Sequence, residues 1–108
     1  MARAATCFGD RSMAVTQRKI GLGIIGLGGA AVNMLPAFRR NPGLEIVGVA
    51  DLDKNILERF EQDHPQANTY LDIEKLCADP NVELVYIGTP TRLHSLHAGI
   101  ALDRGKHV

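Results

Sequence analysis

The sequence predicts an α/β fold, a doubly wound domain on a parallel sheet. Three observations carry this expectation. Short apolar runs alternate with helical spacings from Ile20 onward, the first run ends in a cluster of glycines, and the second ends in an acid. Parallel strands need crossover connections, and strand–helix–strand order supplies them with the usual right hand. The length of 108 residues, 45% hydrophobic and 22% charged, suits one globular domain.

Each element has its own reason. Ile20–Ile25 (IGLGII) is a buried strand entering a Gly turn. Ala30–Arg40 follows as a helix, with Ala31, Met34, Leu35 and Phe38 on one face. Asn41, Pro42 and Gly43 stop it. Leu44–Ala50 (LEIVGVA) is almost continuously apolar, as a strand covered on both faces should be. Asp53 caps a helix that turns Ile56, Leu57 and Phe60 inward. A short strand is expected over Asn68–Tyr70. Asp72 then caps a short helix with Ile73, Leu76 and Cys77 on one side, and Asp79, Pro80 and Asn81 make a turn. Val82–Ile87 (VELVYI) is the next strand. Leu93, Leu96, His97 and Ile100 mark a last amphipathic helix, closed by Arg104 and Gly105. His107 and Val108 begin a fifth strand, at which the sheet is expected to be truncated. Val82–Ile87 would then present an unpaired apolar edge, with poor solubility as the consequence.

Composition excludes several classes of function. Twelve Lys+Arg balance twelve Asp+Glu, so the formal net charge is zero. That gives no basic field for nucleic acid or for an anionic membrane surface. With no Trp and 5% aromatics, a base-stacking platform is not expected. Cys7 and Cys77 are too few for a disulfide scaffold and too far apart for a zinc cluster. A cytoplasmic location follows, with Cys77 read as a small core residue. The uncharged run Ile20–Phe38 approaches the roughly 20 residues of a membrane span. Its Gly21, Gly23, Gly26, Gly28 and Gly29 argue against a spanning helix, since each costs about 1 kcal/mol in a helix interior. Residues 1–18 lack apolar periodicity and read as a disordered leader, within which Met13 is a natural start. Residues 19–108 form the domain.

The chemistry resides in the glycines. Two overlapping matches to G-x-G-x-x-G/A occur, Gly21–Gly26 (GLGIIG) and Gly26–Ala31 (GLGGAA). The fingerprint must follow a strand and open a helix, and only the second does. Asp51 ends the next strand 20 residues beyond Ala31, where a carboxylate accepts hydrogen bonds from an adenosine ribose. Gly26 makes the tight turn, Gly28 lets the backbone approach a pyrophosphate, and Ala31 sits at the helix–strand contact. The anion rests on the N–H groups at the helix start. NAD is therefore expected over NADP, because Leu52 and Asp53 follow the acid where an Arg would grip a 2′-phosphate. Gly88, Thr89, Pro90 and Thr91 follow the fourth strand at the same end of the sheet. His94 and His97 lie one helical turn apart, with no carboxylate or thiol near them in sequence, so no metal site is expected. His97 is in register with Leu93 and Ile100 and reads as packing. His94 opens the helix and is the better functional candidate. No nucleophile–base constellation can be assembled.

The fingerprint, Asp51 and the run GTPTRLHSLHAGIALDRGKHV (88–108) together resemble the glucose-fructose oxidoreductase/inositol dehydrogenase family (Gfo/Idh/MocA), over residues 19–108. The resemblance implies a Rossmann-type nucleotide domain belonging to an NAD(P)-dependent oxidoreductase with a separate substrate domain. It implies a small-molecule substrate (a sugar, polyol or cyclic diol), hydride transfer to or from nicotinamide, and a homo-oligomer. The pyrophosphate would be lined by Gly26, Gly28, Gly29, Ala30 and Ala31, and the adenosine ribose held by Asp51 with Leu52 beside it. Thr89, Pro90 and His94 would approach the ribose and nicotinamide side. Thr91 departs from the Asn frequent after the Thr-Pro pair. The family's Glu-Lys-Pro motif and its catalytic residues belong beyond Val108, so the 108-residue chain alone is expected to be inert. The stretches NMLPAF and VELVYIGTP resemble members acting on dihydrodiols of phthalate. A non-catalytic nucleotide-binding or redox-sensing module is the alternative. A Glu-Lys-Pro in the sequence beyond Val108 discriminates the enzyme from it, and nucleotide binding discriminates both from a structural domain with a vacant site.

Overall fold

A computed structural model describes residues 18–108; apart from Arg18, the expected leader lies outside the described residues. The element order is β1 (Ile20–Ile25), α1 (Gly29–Arg40), β2 (Leu44–Ala50), α2 (Lys54–Asp63), β3 (Asn68–Tyr70), α3 (Ile73–Ala78), β4 (Leu84–Ile87) and α4 (His94–Asp103). A single 3-10 turn, Thr91–Leu93, precedes α4. The strands form one parallel sheet in the order β3-β2-β1-β4. The order reverses between β1 and β4, so a crevice opens at the carboxyl ends of these strands. The uncharged run Ile20–Phe38 is divided among β1, a turn and α1. Among the described residues no helix is long and apolar enough to cross a membrane.

Two cores lie on opposite faces of the sheet. Leu22 and Ile24 of β1 pack with Ala31 and Leu35 of α1 and with Leu57 and Phe60 of α2. Ile25 points the other way, to Leu76 and Cys77 of α3 and Ala101 of α4. This alternation is the two-residue period of a strand. Gly21 and Gly23, the first glycines of the upstream match, are inside β1. A Cβ at Gly21 would lie 1.9 Å from the Asn81 carbonyl oxygen, and one at Gly23 2.9 Å from Val82. Those two glycines serve the packing of the sheet.

A bulge in β2 sets the register. Leu22 pairs with Ile46 but Gly23 pairs with Gly48, leaving Val47 as the extra residue. Ile46 and Val49, three apart in sequence, therefore share one face, and Ala50 reaches the other core beside Ile25. Without the bulge the period of two would turn Val49 over and shift the strand end by one residue.

The caps are as expected. Asp53 accepts from the Asn55 N–H at 2.9 Å, and Asp72 from the Glu74 N–H at 2.9 Å. Three placements differ from expectation. β4 begins at Leu84, because Val82, though buried, donates its N–H to the Asp79 carbonyl in a turn. Met34 is exposed on the flank of α1, whose inward stripe is Ala31, Leu35 and Phe38. Leu96 is exposed, and α4 buries the expected His97 together with Ala101. His107 begins the expected fifth strand through one parallel bridge to Leu84, with hydrogen bonds to Glu83 and Val85.

Asp79 ties α3 to β3. Its buried carboxylate accepts from the Tyr70 hydroxyl at 2.7 Å, the Asn68 amide at 3.3 Å and the Asn81 N–H at 2.9 Å. Burial acts to raise its pKa, but these donors outweigh burial and hold it below the ordinary 3.8. A lowered folded pKa contributes stability that is complete above the unfolded value and is lost as pH falls through the folded one. Asp79→Ala should therefore cost about 1–3 kcal/mol at neutral pH. The gap from wild type should close as the pH drops below 3.8, as denaturant melts at several pH values will read. A gap independent of pH would refute the role of the charge.

Candidate functional site

The carboxyl ends of β1, β2 and β4 surround a cavity of about 380 Å3. Gly26 and Gly28 form one wall, Asp51 and Leu52 stand at the β2 end, and Thr89 and Pro90 form the opposite wall. Ile25, Ala50, Ile73, Gly88, Leu93 and His97 complete a mainly apolar lining. A slot of this kind accepts a flat apolar group while a few polar groups fix its orientation.

The Gly turn is built by backbone geometry. Gly26 has φ +88°, in the left-handed region, and its N–H donates to the Ala50 carbonyl at 2.8 Å. A Cβ there would meet the Thr89 methyl at 2.7 Å and the Thr89 nitrogen at 3.0 Å. Gly26→Ala should thus destabilise the fold by about 2–4 kcal/mol, from left-handed strain plus overpacking. Denaturant unfolding measures this, and a loss below about 0.5 kcal/mol, the usual range of a neutral surface change, would contradict it.

Gly28 differs in kind. It is the N-cap of α1, with φ −73° and ψ −174°, a conformation open to any residue. A Cβ on it would find only the Gly88 carbonyl oxygen, at 3.9 Å. No left-handed conformation calls for glycine here, so its lack of a side chain keeps space open at the helix start. The first N–H groups of a helix have no intrahelical acceptor, and here no side chain caps them. That supplies a cradle for an anion, favoured by the helix dipole.

Asp51 joins the walls. One carboxylate oxygen accepts from the Leu27 N–H at 2.8 Å and the other from the Asp53 N–H at 2.8 Å. Each oxygen retains acceptor capacity. The bulge in β2 is what brings Asp51 abreast of the turn, because Ile25 pairs with Ala50.

Of the expected residues, Gly26, Gly28, Asp51, Leu52, Thr89 and Pro90 come together around the cavity, whereas Gly29, Ala30, Ala31 and His94 do not line it. Gly29 and Ala30 are exposed in the first turn of α1. Ala31 is fully buried at the helix–sheet contact, where a Cβ on Gly88 would come within 2.9 Å of its methyl. His94 is exposed, and its Nε2 lies 2.7 Å from the Thr89 carbonyl oxygen. Gly88 and His97 were not expected in the site. Their signals in sequence were a glycine directly after the last strand and a histidine one turn beyond His94.

A family model described as an oxidoreductase family with an NAD-binding Rossmann fold matches residues 20–108. The chain belongs to that Gfo/Idh/MocA family. A relative in Comamonas testosteroni, 1-carboxy-3-chloro-3,4-dihydroxycyclohexa-1,5-diene dehydrogenase, is 47% identical over 87 residues, covering 81% of this chain and 22% of the relative. The chain thus spans about a fifth of the length of the curated relatives it matches. A 3-ketoreductase from Actinomadura kijaniata, solved with TDP-benzene and NADP, superposes with a TM-score of 0.78 at 28% identity, over 84% of this chain and 29% of that one. Scyllo-inositol dehydrogenase from Lactobacillus casei, solved with NAD(H) and scyllo-inositol, shares the fold with a TM-score of 0.78 at 20% identity, over 84% of this chain and 27% of that one. The Gfo/Idh/MocA chain is thereby an α/β domain with the NAD-binding Rossmann fold of an oxidoreductase family, and the solved structures that share its fold include one with NAD(H) and one with NADP.

Proposed function

We propose that the cavity binds the adenosine half of NAD, in preference to NADP, and that the full-length protein is a dehydrogenase of a small cyclic diol, polyol or sugar. The observation that carries the cofactor reading is the Asp51 carboxylate, oriented at the cavity by the N–H groups of Leu27 and Asp53. Gly26 and Gly28, with the N–H groups of Gly29, Ala30 and Ala31, receive the pyrophosphate. Asp51 accepts from the ribose hydroxyls, Leu52 covers the base, and Thr89 and Pro90 form the far wall, with His94 behind them. When bound, the nicotinamide supplies hydride chemistry; this chain's residues bind and orient the cofactor. The cyclic-diol class is favoured by the 47% identity to a dihydroxycyclohexadiene dehydrogenase. The protein would work in the cytoplasm as a homo-oligomer, with no nucleic-acid or membrane partner.

The test is titration of NAD onto the full-length protein, followed by assay of NADH formation with dihydrodiol carboxylates, inositols and sugars. Absence of saturable NAD binding would overturn the cofactor reading. Turnover of an inositol or sugar without turnover of any cyclic dihydrodiol would overturn the favoured substrate class. The 108-residue chain assayed alone should give no turnover above a heat-killed control.

A further inference from the structure

Two histidines of α4 converge on one threonine of the cavity wall. His97 is buried, and its Nδ1 lies 2.8 Å from the Thr89 Oγ1. The Nε2 of His94 lies 2.7 Å from the Thr89 carbonyl oxygen. The Thr89 methyl points at Gly26, where an added Cβ would approach it to 2.7 Å. Hydroxyl, carbonyl and methyl are thus each held by a different neighbour. The Thr89 hydroxyl is half-buried, and a threonine side chain has one rotatable bond for a hydrogen bond to fix. Burial, with His94 adding to it, keeps the His97 imidazole below its ordinary pKa, so a neutral ring is the partner at neutral pH.

We infer that His97, though it also completes the cavity lining, is a positioning residue: by holding the Thr89 hydroxyl, it preorganises the wall formed by Thr89 and Pro90 against the Gly turn, and so sets cofactor affinity through Thr89. The inference rests on the cofactor reading above. Packing alone would be served by an aliphatic side chain, whereas the bond to Thr89 requires a polar atom at the Nδ1 position. Preorganising a site lowers the ordering cost of binding, and the loss of one such hydrogen bond corresponds to about 10-fold in affinity.

The experiment is a double-mutant cycle on the full-length protein, with dissociation constants for NADH measured by fluorescence and folding followed by thermal melting. His97→Leu and Thr89→Val should each weaken NADH binding about 10-fold. The double variant should be no weaker than Thr89→Val, since both changes break one bond. His97→Asn places an amide near the Nδ1 position and should stay within about 3-fold of wild type. Additive losses in the double variant would overturn the inference. Equal losses for His97→Asn and His97→Leu would overturn it too, pointing to direct contact through Nε2 or to packing. Should His97→Leu fail to fold, Thr89→Val and its double variant with His97→Asn decide: a further loss in the double variant counts against positioning. If wild-type protein binds no NADH, it is the cofactor reading that fails, which separates the two outcomes.

Discussion

Replacing Gly28 by valine is expected to weaken NAD binding by at least about 100-fold, equivalent to some 2.7 kcal/mol, while leaving the fold intact. Both halves of this result come from the same geometry. The backbone of Gly28 is at φ −73° and ψ −174°, so a β-branched residue fits without strain. An added Cβ has nothing closer than the Gly88 carbonyl oxygen at 3.9 Å, so the protein itself does not resist the side chain. The side chain would instead fill the space in front of the uncapped N–H groups of α1, which a pyrophosphate must occupy. Gly26 makes the contrast: at φ +88° against Thr89, its substitution damages the fold first. Calorimetry with NAD and a thermal melt on the full-length Gly28→Val protein decide the matter. Unchanged affinity would remove the pyrophosphate from the start of α1. Gly21 and Gly23 offer no second cradle, because both are closed in by Asn81 and Val82.

Cofactor choice should follow charge. NAD is expected to bind about 10-fold or more tightly than NADP, an estimate from the charge argument. In the proposed cofactor site the Asp51 carboxylate would receive the ribose hydroxyls, and a 2′-phosphate would meet its like charge in a partly desolvated crevice. That mismatch costs about 1–3 kcal/mol. No Lys or Arg lines the cavity among the described residues, so nothing offsets it there. Leu52 and Asp53, next in sequence, are apolar and acidic, and Lys54 begins α2. Asp51→Ala would also free the Leu27 and Asp53 N–H groups that the carboxylate holds, which weakens both cofactors by loosening the loop. The informative quantity is therefore the ratio of the two dissociation constants, in which a shared loss cancels. In the alanine variant the ratio should fall to within about 3-fold. Equal affinity of the wild type for NAD and NADP would show that Asp51 does not read the 2′ position.

Much of the candidate site's layout was legible because its constraints are local. A strand, a glycine turn, a helix and an acid at the next strand end are spaced by chain geometry, and each carries its own residue signature. Asp53 and Asp72 were legible as caps for the same reason: an Asp before a helix accepts the N–H two residues on. Helix faces were less so. Met34 and Leu96 have the right spacing to be inward, yet lie on the flanks and are exposed. A stripe of apolar positions does not reveal which of its edges the sheet covers.

The sequence by itself determined the α/β order, the choice of the second glycine match over the first, and the pairing of that turn with Asp51. These depend on interactions between residues close along the chain or at fixed spacing. Only the tertiary structure decided that the bulge at Val47 brings Asp51 abreast of the turn, that Gly88 must be small beneath Ala31, and that His97 faces Thr89 across the wall of the cavity. Each of those depends on how one element is set against another. Register and close approach are fixed by packing between segments distant in sequence, and a bulge leaves no composition or period of its own by which it could be read in advance.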